Sequence, residues 1–132
     1  MELTKACDYG VFGMIYLSKQ PPGKIVSLSE ISKAENLPEK FLAKIFQNLA
    51  RSGLVRSHRG AGGGFSLARP TNKITVKEIL ESIEGPIYLA RCLGDLEDCD
   101  KKDVCKLRKL LKKAQDYATK ILTQSTLADL SK

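Results

Sequence analysis

The feature that most constrains the fold is a glycine-rich hairpin that directly follows an amphipathic helix. Two short apolar segments, residues 54–57 and 64–67, flank a tip that contains three glycines within residues 59–63. Glycine adopts the positive φ of tight turns without strain, so this pattern predicts an antiparallel β-hairpin. Before it, apolar residues recur at helical spacing in a helix that begins at Pro38 and is capped by Gly53.

Other helix signals surround this pair. Residues 3–18 have helical periodicity and end before Pro21, and Ser27 with Glu30 three residues later predicts a capping box that opens a short second helix. Thr75 begins a further helix that ends at Gly85. The fold class predicted is mostly α with a small β-hairpin wing: a winged helix-turn-helix followed by a long C-terminal dimerisation helix.

Three regions are expected along the chain of 132 residues. Residues 1–85 form the winged helix-turn-helix domain, residues 86–104 form a cysteine-containing loop, and residues 105–132 form the dimerisation helix and tail. The loop has no sustained apolar period, and long irregular connections in compact domains are usually functional. The helix after it carries an apolar stripe that a second chain would cover, so we expect a homodimer.

The positive charge is concentrated in the N-terminal half. Residues 1–75 carry 11 Lys/Arg and 5 Asp/Glu, whereas residues 76–132 carry 11 and 10. This imbalance favours a polyanionic partner, double-stranded DNA, although a solvated basic surface has the same composition. The outward positions of the third helix and the wing then supply the expected DNA contacts: Lys40, Lys44, Gln47, Arg56, His58, Arg59 and Gly60.

The four cysteines are interpreted as thiols, because disulfides are rare in the reducing cytoplasm, where we expect this chain to act. Cys92, Cys99 and Cys105 are spaced too widely for the Cys-x-x-Cys pair of a zinc knuckle. Their spacing permits an iron-sulfur cluster with three thiolate ligands, a structural zinc site, a switching disulfide or unrelated buried thiols.

The sequence strongly resembles the IscR/NsrR family of winged-helix iron-sulfur transcription regulators over essentially its whole length. The resemblance lies in short motifs spread along the chain: Leu3-Thr4, Asp8-Tyr9, Leu54-Val55, Arg59-Gly60, Gly62-Gly63-Gly64, the three distal cysteines and Thr126-Leu127-Ala128-Asp129-Leu130. It implies a DNA-binding regulator, with repression expected, that reads a near-palindromic operator as a homodimer.

The resemblance also implies a cofactor, a [4Fe-4S] or [2Fe-2S] cluster bound by Cys92, Cys99 and Cys105 that senses nitric oxide, redox or iron-sulfur status. IscR-like members have a histidine ligand three residues after the last cysteine, where this chain has Arg108. The NsrR-like branch is more similar, and it implies that Asp8 of the partner subunit is the fourth ligand.

Several function classes are not expected. No paired carboxylates, Ser/His/Asp set or nucleotide-binding loop indicates an enzyme or a small-molecule substrate, and no apolar run is long enough to cross a membrane. Two alternatives stay open: a winged-helix regulator that uses thiol or zinc chemistry without a cluster, and a winged-helix module that binds protein.

Overall fold

The computed structural model describes residues 3–94 and 104–132. In chain order the elements are α1 (Lys5–Ser18), α2 (Leu28–Glu35), α3 (Glu39–Arg51), β1 (Val55–His58), β2 (Gly64–Leu67), α4 (Val76–Glu84), α5 (Lys106–Gln124) and α6 (Leu127–Leu130), with 3₁₀ turns at Thr71–Lys73 and Arg91–Leu93. This order confirms the predicted fold class, a mostly helical winged helix-turn-helix with a long C-terminal helix.

The helix starts follow the predicted capping residues with small differences. Ser27 accepts a hydrogen bond from the Glu30 backbone N–H at 3.1 Å, but the Glu30 carboxylate is bound by the Tyr16 hydroxyl at 2.6 Å. The predicted Ser27 box is therefore only half formed. Thr75 forms the complete reciprocal box with Glu78, and Pro38 is the N-cap of α3 rather than its first helical residue.

The hairpin pairs in antiparallel register, with Val55 opposite Leu67 and His58 opposite Gly64. A third segment joins its base, because Val26 and Phe65 exchange two backbone hydrogen bonds of 2.8 Å. A Cβ at Gly64 would lie 2.2 Å from the Val26 carbonyl oxygen, so only glycine permits this close approach. The wing is thereby attached to the loop between α1 and α2.

The core lies between α1, α3 and α4 and extends under the wing. Met14, Leu42, Phe46 and Leu49 are completely buried, and the rings of Phe46 and Phe65 lie 5.1 Å apart, centroid to centroid. The apolar spacing of α3 also predicts Phe41 as a core residue, and this prediction is wrong. Phe41 is 63% exposed, because it lies at the edge of the apolar stripe and no described element covers it. Helix α3, which corresponds to the recognition helix of a helix-turn-helix, therefore presents an aromatic side chain outside the core.

The C-terminal tail packs on the N-terminal helical unit, although in the sequence it follows the long helix α5. Leu127 is fully buried, its backbone N–H donates to the Ile74 carbonyl at 2.8 Å, and the Val76 N–H donates to the Ser125 carbonyl at 2.8 Å. Thr126 and Asp129 form a capping box that begins α6. The domain limits at 85 and 105 stay a prediction, but the core of residues 1–85 includes this tail residue.

Candidate DNA-binding surface and cysteine site

The outward face of α3 carries the predicted groove contacts. Lys40, Lys44 and Gln47 are exposed, whereas Leu42, Ile45, Phe46 and Leu49 are buried on the opposite face. Helix packing thus fixes the orientation of α3 and leaves one polar face free. These three side chains can donate hydrogen bonds to phosphates or base edges if the helix lies in a major groove.

The wing presents its basic residues at and beside the hairpin tip. Arg56, Arg59 and Gly60 are exposed, and Gly60 has a φ of +93°, a conformation that other residues rarely adopt. The glycine therefore lets the chain turn immediately after Arg59. An arginine at such a tip is free to enter a minor groove, where the negative potential is concentrated.

His58 is less available than the sequence indicates. The residue is half-buried, and its Nε2 lies 2.8 Å from the Oγ of Ser66, a buried side chain on the neighbouring strand. This hydrogen bond connects β1 to β2. A phosphate contact by His58 stays a prediction, and it would have to use the other ring nitrogen or follow a rotation of the ring.

A groove of about 660 Å³ lies between α1 and α3, and sequence reasoning missed it. The residues that line it include Tyr9, Phe41, Lys44, Asn48 and Ile83. The only sequence signal was Phe41, an aromatic residue one position before the buried Leu42. Nothing among the described contacts covers this ring, so it is part of the exposed surface of the recognition helix.

The structure brings two of the predicted cluster ligands to the start of α5. Cys92 lies in the 3₁₀ turn Arg91–Leu93, and Cys105 is the N-cap residue of α5, with its Sγ 3.4 Å from the Arg108 backbone nitrogen. The Nε of Arg108 donates to the Cys92 carbonyl oxygen at 3.5 Å. Both cysteines are partly exposed free thiols. Cys99, the third predicted ligand, lies outside the described residues.

Cys7 and Asp8 are neighbours with opposite environments. Cys7 is buried against Val76 and Leu80, and burial, reinforced by the nearby Glu84 carboxylate, raises the pKa of its thiol to about 11. This thiol is therefore a group of the apolar core. Asp8 is exposed in the first turn of α1. In residues 3–94 and 104–132 no three His, Cys, Asp or Glu side chains gather around a metal position.

Helix α5 has two different faces, a mixed one packed on its own chain and an exposed apolar one. The face toward its own chain is half-buried and consists of Arg108, Leu111, Gln115, Thr119 and Leu122. The other face is open: Leu107, Leu110, Tyr117 and Ile121 are each at least 60% exposed, and they follow helical spacing. Burial of such a stripe is favourable by about 25 cal/mol per Å², so a free chain with this surface is unfavourable in water.

The pattern of basic residues in α5 was only partly interpreted correctly. Arg108 lies in a lysine-rich run, a pattern that predicts a solvated face for it together with Lys109 and Lys112. It is instead half-buried and bonded to Cys92. No helix in the described part of the chain is both long and apolar enough to span a bilayer.

The comparisons with known proteins identify the family. A family model described as Rrf2, iron-dependent transcriptional regulator, matches residues 3–132. The structure of CymR, the global cysteine regulator of B. subtilis, is 32% identical with a TM-score of 0.79, covering 99% of this chain and 96% of that one. The oxidised form of Staphylococcus aureus CymR is 28% identical with a TM-score of 0.75, covering 100% and 97%.

A third similar structure is that of T. potens IscR, which is 28% identical with a TM-score of 0.77 and covers 98% of this chain and 85% of that one. The family match spans nearly the whole chain and includes both α3 and the β-hairpin wing. The chain therefore belongs to the Rrf2 family of winged-helix transcriptional regulators, and it is a DNA-binding protein and not an enzyme.

Proposed function

We propose that this regulator is a homodimeric repressor whose affinity for a near-palindromic operator is controlled by an iron-sulfur cluster. The observation that carries the proposal is the convergence of Cys92 and Cys105 on Arg108 at the start of α5. The opposite face of that helix is the exposed apolar stripe that a second subunit would cover. A change at the cysteines would thus act directly on the element that joins two DNA-binding units.

The donor set fits a cluster. Cys92 and Cys105 are accessible soft thiol ligands, and Cys99 lies between them in the sequence, so three thiolates are available from one chain. Cys7 is excluded as a ligand by its burial and raised pKa. Asp8 is exposed on α1 and free to reach a partner subunit, which supports the NsrR-like assignment of Asp8 as the fourth ligand.

The residues of the chain have separate roles in this mechanism. The thiolates and Asp8 hold the group, α5 joins the subunits, and Lys40, Lys44, Gln47, Arg56 and Arg59 bind DNA. When bound, a cluster with an incomplete thiolate shell supplies reactivity toward nitric oxide and oxidants and sensitivity to iron supply. Without such a group, Cys92 and Cys105 would no longer be joined to Asp8 of the partner subunit, and the spacing of the two α3 helices would change.

The first experiment is an anaerobic absorption spectrum with iron and sulfide counted per chain, in the wild type and in Cys92→Ala, Asp8→Ala and Cys7→Ala. We expect visible absorption with matching iron and sulfide that is lost in Cys92→Ala and weakened in Asp8→Ala. Cys7→Ala is the matched control and should keep its colour, because Cys7 is a core residue. A colourless wild type that resists reconstitution would refute the cluster.

The regulatory part is tested separately by the affinity of the loaded and metal-free forms for one selected duplex at fixed salt. Salt must be held constant, because phosphate contacts alone change affinity steeply with ionic strength. Different affinities are expected. Equal affinities would contradict control by the cluster even if the spectrum showed one.

A second candidate function is regulation by thiol oxidation or zinc without a cluster. Similarity to CymR, a cysteine regulator whose Staphylococcus aureus form has an oxidised structure, favours it together with the partly exposed thiols of Cys92 and Cys105. The same measurement separates the two, because zinc and thiols are colourless. A colourless protein whose operator affinity changes on oxidation would support this alternative.

A further inference from the structure

The segment of residues 88–94 is held against α5 by polar contacts. The Leu89 backbone N–H donates to the Gln115 Oε1 at 2.9 Å, and seven residues earlier on the helix the Arg108 Nε donates to the Cys92 carbonyl at 3.5 Å. Positions 108 and 115 are two turns apart and share a face of the helix. The two contacts therefore hold residues 89–92 along α5.

Residues 88–94 also contact one another. The Leu93 N–H donates to the Ala90 carbonyl at 3.1 Å, and a Cβ at Gly94 would lie 2.8 Å from the ring of Tyr88. The ring of Tyr88 is thus packed against Gly94, which follows Cys92 by two residues. The turn that carries Cys92 consequently has a defined shape, and its position relative to α5 depends on the contacts from Gln115 and Arg108.

Arg108 contacts both cysteine residues. Its backbone nitrogen lies 3.4 Å from the Cys105 Sγ, and its side chain reaches the Cys92 carbonyl. A guanidinium stays protonated in proteins and has no lone pair for a metal, so Arg108 cannot take the ligand role of a histidine at this position. It can fix geometry, because its planar donors hold an acceptor in a defined direction.

We infer that Arg108 is a positioning residue that holds Cys92 next to Cys105 in the metal-free chain, so that the cysteine site is organised before any metal or oxidant arrives. The inference deepens the proposed function and rests on it for its biological purpose. The positioning itself is a property of the metal-free protein. Preorganisation of this kind reduces the ordering cost of binding, since the two ligands need not be brought together first.

The test uses the metal-free chain of residues 1–132 carrying Cys99→Ser, so that Cys92 and Cys105 are the two accessible thiols and Cys7 stays buried. Dibromobimane, a reagent that becomes fluorescent when it bridges two nearby thiols, measures their proximity. The rate of bridging is divided by the rate of single alkylation with monobromobimane, which removes differences in thiol reactivity. Circular dichroism establishes that each variant is folded.

In this background Arg108→Ala should lower the normalised bridging rate by about three- to tenfold, the effect expected for loss of one charge-assisted hydrogen bond that is partly exposed. Lys109→Ala is the matched control, because it removes the same charge from the adjacent exposed position and should leave the ratio unchanged. An unchanged ratio in Arg108→Ala, or an equal fall in Lys109→Ala, would overturn the inference.

The outcome is independent of the cluster. If the wild type is colourless and Arg108→Ala lowers the normalised bridging rate, the cluster is refuted and the positioning role of Arg108 stands. That role would then serve thiol or zinc chemistry. A cluster-containing wild type in which Arg108→Ala bridges at the normal rate would keep the proposed function and refute the positioning role.

Discussion

Replacement of Leu127 by alanine should destabilise the whole N-terminal unit, although the residue lies only five positions before Lys132. Leu127 has no exposed surface and packs in the same core cluster as Met14, Phe46 and Ile74. Removing a buried leucine side chain costs its transfer free energy and leaves a cavity, typically about 3 to 5 kcal/mol together. Domains are stable by only about 5–15 kcal/mol, so this is a large share of the total.

For a chain of this length, 1 kcal/mol corresponds to roughly 3–5 °C in the melting temperature, so Leu127→Ala should lower it by about 10 °C or more. The assay is thermal unfolding followed by far-UV circular dichroism, under reducing conditions and at one protein concentration. Leu130→Ala is the control, because Leu130 lies one helical turn later and is 38% exposed. Equal shifts in the two variants would contradict the packing of α6 in the core.

Two further predictions concern the surfaces. Arg59→Ala should weaken binding to a duplex obtained by in vitro selection and reduce the slope of log affinity against log salt by about one, because one phosphate or minor-groove contact is lost; Lys120→Ala should do neither. The measurement is fluorescence anisotropy. If Arg59→Ala has the same affinity and the same salt slope as the wild type, the wing residue Arg59 does not contact DNA. Leu110→Glu places a charge in the exposed stripe of α5 and should shift a dimer toward monomer in sedimentation. Lys112→Glu changes an exposed residue outside the stripe and should not. If the Leu110→Glu dimer is as stable as the wild-type dimer, the interface lies elsewhere.

Local signals predicted the elements of the DNA-binding unit well. The stripe of Leu42, Ile45, Phe46 and Leu49 gave α3, and the glycines of the tip gave the hairpin. Thr75 predicted the start of α4, because its hydroxyl and the Glu78 carboxylate lie within one helical turn. Each of these features depends on residues close together in the sequence, so the pattern contains the necessary information.

Contacts between distant residues were not predictable in the same way. Val26 is a single apolar residue in a loop, and no alternation marks its bridge to Phe65. Leu127 was interpreted as part of a dimerisation tail, because periodicity shows that a residue is buried but not which element covers it. The burial of Arg108 was not predictable for the same reason. A basic residue in a lysine-rich run has the sequence pattern of a solvated face, and only the contact with Cys92 shows that it is half-buried.

In the mechanism that we propose, these long-range contacts determine how a change at the cysteines can reach the DNA-binding surface. Helix α5 is attached to its own chain near its start by Arg108, in its middle by Gln115 and just beyond its end by Ser125, whose carbonyl accepts from Val76 at the start of α4. A ligand shifts an equilibrium only if it contacts two conformations differently. Of these attachments, the one at Arg108 directly contacts the cysteine residues, whereas the attachment at Ser125 joins α5 to the core that orients α3. A change in the cysteine site would therefore alter the start of α5 first and leave its end fixed, which pivots the exposed stripe relative to the recognition helix.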